Sequence, residues 1–140
     1  MNVKKMSMII IGAVALILLG GAGTYEFLLK PPSKPVPPSA AQLQSWQYQV
    51  DKLTTNLQGG NMIQIQFTLQ APNSNVLAEL TSRASQVDDG ILSILNSLSA
   101  SEILQPGGYT YLKDLIIKKI NGFLTTGKII NVYVNNSIIQ

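Results

Sequence analysis

The sequence predicts an α+β fold: a small sheet with helices packed on it, carried on a single N-terminal transmembrane helix. Three observations lead there. Residues 6–29, MSMIIIGAVALILLGGAGTYEFLL, form one apolar run whose only charged residue is Glu26. Over residues 62–69, Ile63, Ile65, Phe67 and Leu69 alternate with Gln64, Gln66 and Thr68 (Gln70 continues the polar series), the signature of a half-buried strand with one wet face. From Leu77 to Leu98 the apolar residues recur in steps of three and four, an amphipathic helical stripe. The order strand, strand, helix, helix, strand buries these stripes against one sheet. The last strand joins after the helices, so a mixed sheet is open at this stage.

Residues 1–5 form a short basic stub. The run that follows, counted from Met6 to Tyr25, is about 20 residues, the length a helix needs to cross ~30 Å of hydrocarbon. Lys4 and Lys5 flank its start. Positive charge close to a span stays in the cytoplasm, and a long C-terminal domain is translocated largely regardless of charge. The expectation is a single-pass protein of the cytoplasmic (inner) membrane, N-terminus inside, with the C-terminal domain outside the cytoplasm. The competing reading is a cleaved secretory signal with Gly21-Ala22-Gly23 as its small-residue site, although signal cores run only ~7–15 apolar residues. Lipid anchoring of an exported protein needs a cysteine, and the chain has none. Gly12, Ala13, Gly20, Gly21, Ala22, Gly23 and Thr24 are small enough to let membrane helices approach closely.

Residues 30–48 read as a linker and lead-in. Pro31, Pro32, Pro35, Pro37 and Pro38 favour extended polyproline II at ~3.1 Å per residue, a stand-off of up to about 30 Å. The Gln-rich stretch that follows holds the only tryptophan, Trp46, and fits either a short helix or an irregular segment.

The domain proper is expected over residues 49–140. Residues 49–57 form a less regular strand, with Val50, Leu53 and Leu57 as its apolar positions. Gln58-Gly59-Gly60-Asn61 makes the hairpin turn into the second strand, since glycine accepts positive φ at little steric cost. Pro72 ends that strand because it cannot donate to the ladder. Ser74 or Asn75 caps one helix bearing Leu77, Leu80, Ala84, Val87, Ile91, Ile94, Leu95 and Leu98. The seven-residue spacing of Leu77, Ala84, Ile91 and Leu98 also suits a coiled coil. Gly90 marks a kink or a close contact within it. Ser99-x-x-Glu102 is a capping box opening a short second helix. After Gln105-Pro106-Gly107-Gly108, a third helix buries Leu112, Leu115, Ile116, Ile120, Phe123 and Leu124, turns Lys113, Lys118 and Lys119 outward, and closes at Gly127. Residues 128–134 form the last strand, with 135–140 available to extend it.

Composition removes most chemistry. The chain has no His and no Cys, which excludes Ser-His and Cys-His nucleophiles, thiolate redox chemistry and the usual zinc sites. Of the 7 acidic residues, only Asp88-Asp89 stand together, and adjacent side chains on a helix diverge by ~100°. They read as a solvated face. No Gly-rich phosphate loop follows a strand. The net charge is +3, but the basic residues are scattered, with Lys118-Lys119 the only basic pair beyond the N-terminus. Nucleic-acid surfaces cluster Lys and Arg, often with aromatics. The expectation is therefore no enzyme, no catalytic, cofactor-binding or metal residues, no cofactor, no small-molecule substrate and no nucleic acid. Partner-contact residues are left unassigned.

Several local stretches carry a resemblance. They are Arg83-Ala-Ser-Gln-Val-Asp-Asp-Gly-Ile-Leu92, in which Asp89 and Ile91 match and Asp88 stands where a basic residue is expected, and Leu98-Ser-Ala-Ser-Glu-Ile103. Lys119-Ile-Asn-Gly-Phe-Leu124, Gly127-Lys-Ile-Ile-Asn-Val-Tyr-Val134 and the terminal Ile-Ile-Gln140 complete the set. Together with the basic N-terminus, one span and a Pro-rich linker, this chain resembles the flagellar basal-body-associated FliL family over almost its full length. The resemblance implies a stomatin/prohibitin-type (SPFH-like) fold. It also implies a structural role as a homo-oligomeric ring around the flagellar stator units, near the basal-body ring proteins, supporting torque. The chain departs from the family in being poor in charge and rich in Gln, Asn and Ser. The competing function is a membrane-tethered structural or binding module of another envelope machine, such as a pilus or secretion system.

Overall fold

The computed structural model describes residues 2–24 and 35–140. The expected end of the span, residues 25–29 with Glu26, and residues 30–34 of the Pro-rich stretch lie outside the described residues. The chain forms two compact units, Met1–Pro37 and Pro38–Gln140.

The first unit holds helix α1, Val3–Thr24. At 1.5 Å per residue its 22 residues extend about 33 Å. The successive residues Ile9, Ile10 and Ile11 all stand more than half exposed, so the helix is apolar around its circumference rather than along one stripe. Such a surface suits a lipid solvent. The helix begins three residues before the predicted start and takes in Lys4 and Lys5. Thr24, the last residue of the helix, donates its hydroxyl back to the carbonyls of Gly20 (2.9 Å) and Gly21 (3.1 Å).

The second unit is α+β. Its elements are α2 (Ala40–Ser45), β1 (Gln47–Gln49), β2 (Leu53–Asn56), β3 (Met62–Gln70), α3 (Ser74–Ser82), α4 (Ala84–Ser97), α5 (Ala100–Leu104), α6 (Gly108–Asn121) and β4 (Asn131–Ile139). Strand β3 is central. One of its edges pairs with β4 over residues 63–70, and the other is shared by β1 and β2. All pairings between these strands are antiparallel, so the sheet is not mixed; a lone parallel bridge, Gln58 to Ser99, lies outside it. The glycine turn stands as predicted: Leu57 donates to the Asn61 carbonyl (2.7 Å), and Gly59 and Gly60 sit at φ 92° and 96°.

The single first strand expected over 49–57 is two short ones. Gln49 faces Thr68 and Leu53 faces Ile65, so Val50, Asp51 and Lys52 lie opposite only Gln66 and Phe67. The extra residue loops out at the two charged positions. The β4 register shifts at the same step of β3: Val134 faces Phe67, Asn136 faces Gln66, and Asn135 is the unpaired addition. Both neighbours of β3 are thus bulged at one level.

The alternation in β3 holds on its apolar side, where Ile63, Ile65, Phe67 and Leu69 are fully buried. The opposite side is not uniformly wet. Gln64 and Gln66 are half-buried, but Thr68 and Gln70 are 5% and 3% exposed. The undecided Gln-rich stretch is the cause. Ser39 and Gln42 form a reciprocal capping box that starts α2, and the α2–β1 segment lies over the end of β3. The Gln70 Nε2 donates to the carbonyls of Leu43 (2.9 Å) and Ala71 (2.9 Å), and its Oε1 accepts from Gln47 (3.2 Å). Asn135 in the β4 bulge donates to the Thr68 hydroxyl (2.8 Å).

The helices cover the other face. The predicted helix over 74–98 is two. Asn73 caps α3 with its side-chain carbonyl, and Arg83 (φ −108°, ψ 23°) ends α3 and begins α4. One residue off helical geometry hardly disturbs the apolar repeat, so Val76, Leu80, Val87, Ile91 and Leu95 still line the core and the break is invisible in the pattern. Gly90 is a close contact instead: a Cβ there would sit 3.3 Å from Lys119 Cγ on α6. The capping box at Ser99 and Glu102 forms as predicted. α6 ends at Asn121 rather than running to Gly127, tightened by i→i+3 bonds from Gly122 and Phe123. Gly127 serves a close approach, since a Cβ there would lie 2.6 Å from Val76 Cγ2. Strand β4 begins three residues later than expected because the Asn121 side chain takes both backbone groups of Ile129 (2.8 and 3.3 Å).

Two stability outcomes follow, each read by denaturant unfolding of the detergent-solubilised full chain. Phe67→Ala removes a fully buried ring and is expected to cost about 3–5 kcal/mol. On the opposite side of the same strand, Gln70→Ala removes the donor to the buried Ala71 carbonyl and the part-buried Leu43 carbonyl and should cost about 1–3 kcal/mol, whereas Gln66→Ala should stay within about 0.5 kcal/mol. Equal losses at the two glutamines would contradict the covering of Gln70 by α2.

Candidate functional site

The most heavily bonded polar group in the second unit is the carboxylate of Glu79. It sits on the buried side of α3 with Val76 and Leu80. A carboxylate in that position needs donors, and the loop after α6 supplies them. Glu79 accepts from the Thr125 amide (3.0 and 3.1 Å) and hydroxyl (2.9 Å), and from the Thr126 amide (2.8 Å) and hydroxyl (2.6 Å). Arg83, one turn along, adds its Nε at 3.0 Å and reaches Gln86 with Nη1 (3.1 Å). The Thr126 hydroxyl and amide, then those of Thr125, outweigh desolvation and hold the Glu79 carboxyl down at about 2.

These residues line an open cleft with Asn75, Ala78 and Ser82. The acceptor capacity of Glu79 is taken up by the loop, which leaves no lone pair free for a proton-transfer role. The arrangement is a clasp. With the Gly127–Val76 contact it fixes the segment leading into β4 against α3. Sequence reasoning missed it. The available signal was an acidic residue on the apolar stripe of a helix, with a Thr-Thr pair downstream.

The acidic pair separates. Asp89 is exposed, as expected of a solvated face. Asp88 is half-buried, and its Oδ1 has no hydrogen-bond partner among the described residues. Burial, then the negative charge of Asp51, pushes its carboxyl up. The Tyr48 hydroxyl is pushed up by burial, then by Asp88 and Asp51. Asp51, looped out between β1 and β2, thus lies near enough to Asp88 on α4 for its charge to be felt there. Among the described residues, no group of three or more His, Cys, Asp or Glu side chains is placed to hold a metal.

The surface that remains is the outer face of the sheet. The register puts Thr54, Gln64, Gln66, Tyr133, Asn136 and Ile138 on it, with no charged side chain. Met62, Tyr133 and Ile138 are exposed large apolar groups at this face and its rim. This is where the charge-poor composition is concentrated.

The clasp sets an acid dependence. The folded carboxyl of Glu79 lies below its ordinary value of 4.5, at about 2, so its contribution is complete above that ordinary value and is lost as pH falls from there towards 2. Thermal melts of the solubilised chain across the acid range should show Glu79→Gln less stable than the parent near neutrality, with the gap closing in that window. A gap independent of pH would refute the charge-based clasp.

Comparison with known proteins supplies the context for this fold. A family model described as flagellar basal body-associated protein FliL matches residues 47–140. The flagellar protein FliL of Bacillus subtilis (strain 168) is 28% identical over 130 residues, covering 93% of this chain and 87% of that protein. The flagellar protein FliL of Aquifex aeolicus (strain VF5) is 36% identical over 76 residues, 54% of this chain and 47% of that protein. The match begins at the first residue of β1 and runs through the last of the chain, and on that ground this chain belongs to the FliL family of flagellar basal-body-associated proteins.

Proposed function

We propose that this chain is a non-enzymatic, membrane-anchored structural component of the bacterial flagellar basal body that supports the stator units and motor torque, assembled as a homo-oligomeric ring. In this reading α1 spans the cytoplasmic membrane with the N-terminus inside, and residues 49–140 stand outside the cytoplasm as an SPFH-like domain. One observation carries it: the flagellar family match covers all four strands and helices α3 to α6, on a chain that also supplies a helix long and apolar enough to cross a membrane. The bonded-out state of Glu79 and the uncharged outer sheet face support a role in contact. Basal-body proximity and a membrane helix together make the stator, itself membrane-embedded, the natural partner.

The test is a gene deletion scored by swimming in media of rising viscosity. Deletion is expected to lower speed most at high load, with rescue by the full chain and none by a form released through a cleavable signal in place of α1. A deletion strain that keeps normal speed and stator retention at every load would overturn the proposal.

A further inference from the structure

The two edges of the sheet are built differently. The β1/β2 edge is two short strands, kinked where Asp51 and Lys52 loop out exposed. Shortness, charge and a bulge are the devices that keep an edge from recruiting another strand. The β4 edge lacks the first two. It is a single nine-residue strand, NVYVNNSII, with no charge and no proline, and among the described residues it pairs only with β3. Its one bulge, at Asn135, is held to β3 by the bond to Thr68.

The backbone of that edge is open. Met62 and Gln140 exchange both amide bonds (2.9 and 2.9 Å), so in an antiparallel ladder the neighbouring Ile139, and Ser137 beyond the next bonded pair, direct their N–H and C=O groups away from β3. Further along, the Val132 amide is satisfied by the side chain of its own neighbour, Asn131 (2.8 Å), in place of a strand. Val134, Ser137 and Ile139 remain only half-buried although they face the helix side.

We infer that the free edge of β4 pairs with β4 of a second copy of this chain, antiparallel about a two-fold axis through the middle of the strand. An extended backbone is the chemistry such an edge recognises, and an antiparallel edge is complementary to itself. Self-pairing places side chains near the axis opposite their own copies, where like charges are destabilising. β4 carries none, while the opposite edge carries two. Anchoring both copies in one bilayer raises their effective concentration, and to that extent the inference rests on the anchored, self-associating reading above. A two-fold contact closes on itself and cannot join neighbours within one cyclic ring, so this pair is separate from any ring contact.

The chain has no cysteine, so single cysteines report contacts cleanly. Tyr133→Cys, Asn136→Cys, Ile138→Cys and, on the other edge, Thr54→Cys would each be placed in the full chain in native membranes and oxidised with copper-phenanthroline. Asn136→Cys is expected to give the strongest self-linked dimer. Tyr133→Cys and Ile138→Cys should link to each other, when co-expressed, at least several-fold better than either links to itself. Thr54→Cys should not link. Adding Asn136→Lys to the co-expressed Tyr133→Cys and Ile138→Cys chains should reduce their cross-link at least tenfold with the melting temperature unchanged. Dimer cross-links with nothing larger would uphold the pairing while the ring fails. Assemblies larger than dimers without β4 cross-links would overturn the pairing and leave the ring. Equal self-linking at all three β4 positions, linking of β4 to a different protein, or dimers undiminished by Asn136→Lys would each overturn it.

Discussion

The second unit depends on one strand being wanted on both faces and both edges. β3 buries Ile63, Ile65, Phe67 and Leu69 beneath the helices and supplies the pairing partner for β1, β2 and β4. Because side chains alternate with a period of two, a one-residue slip would exchange this apolar row for the glutamines. The register is therefore tightly held, and the irregularities are displaced to the neighbours. Both β1/β2 and β4 bulge at the Gln66–Phe67 step. The outer strands absorb what the central one does not.

From that strand the rest is positioned by side chains that act as backbone partners. Asn73 caps α3, Ser99 and Glu102 close on each other to start α5, and Asn121 pairs with Ile129 as a neighbouring strand would. Glu79 does the same over a longer reach, joining α3 to Thr125 and Thr126 across the fold. With no cysteine to form a disulfide, these polar ties add direction to a core of ordinary size.

Charge is distributed to match. The looped-out bulge on one edge holds Asp51 and Lys52, while the outer sheet face and the other edge hold only amides, hydroxyls and a few apolar side chains. A departure that looked like a compositional peculiarity becomes a surface property once the strands are registered. An uncharged face with an unpaired edge can meet a neighbour without desolvating ions, whose removal from water is costly unless they are paired.

The sequence alone determined the features that depend on local periodicity: the apolar helix, the central strand and its buried row, the glycine turn, the Ser99 capping box and the amphipathic stripe. Each is written in side chains within a few residues of one another, as was the family likeness. What the tertiary structure decided depends on partners far along the chain. The break at Arg83 was hidden because it leaves the apolar repeat intact. The covering of Gln70 by α2 and the clasp of Glu79 by Thr125 and Thr126 join residues 27 and 46 apart. The antiparallel sense of β4 and its free edge follow from where the chain returns after the helices, which no window of sequence contains.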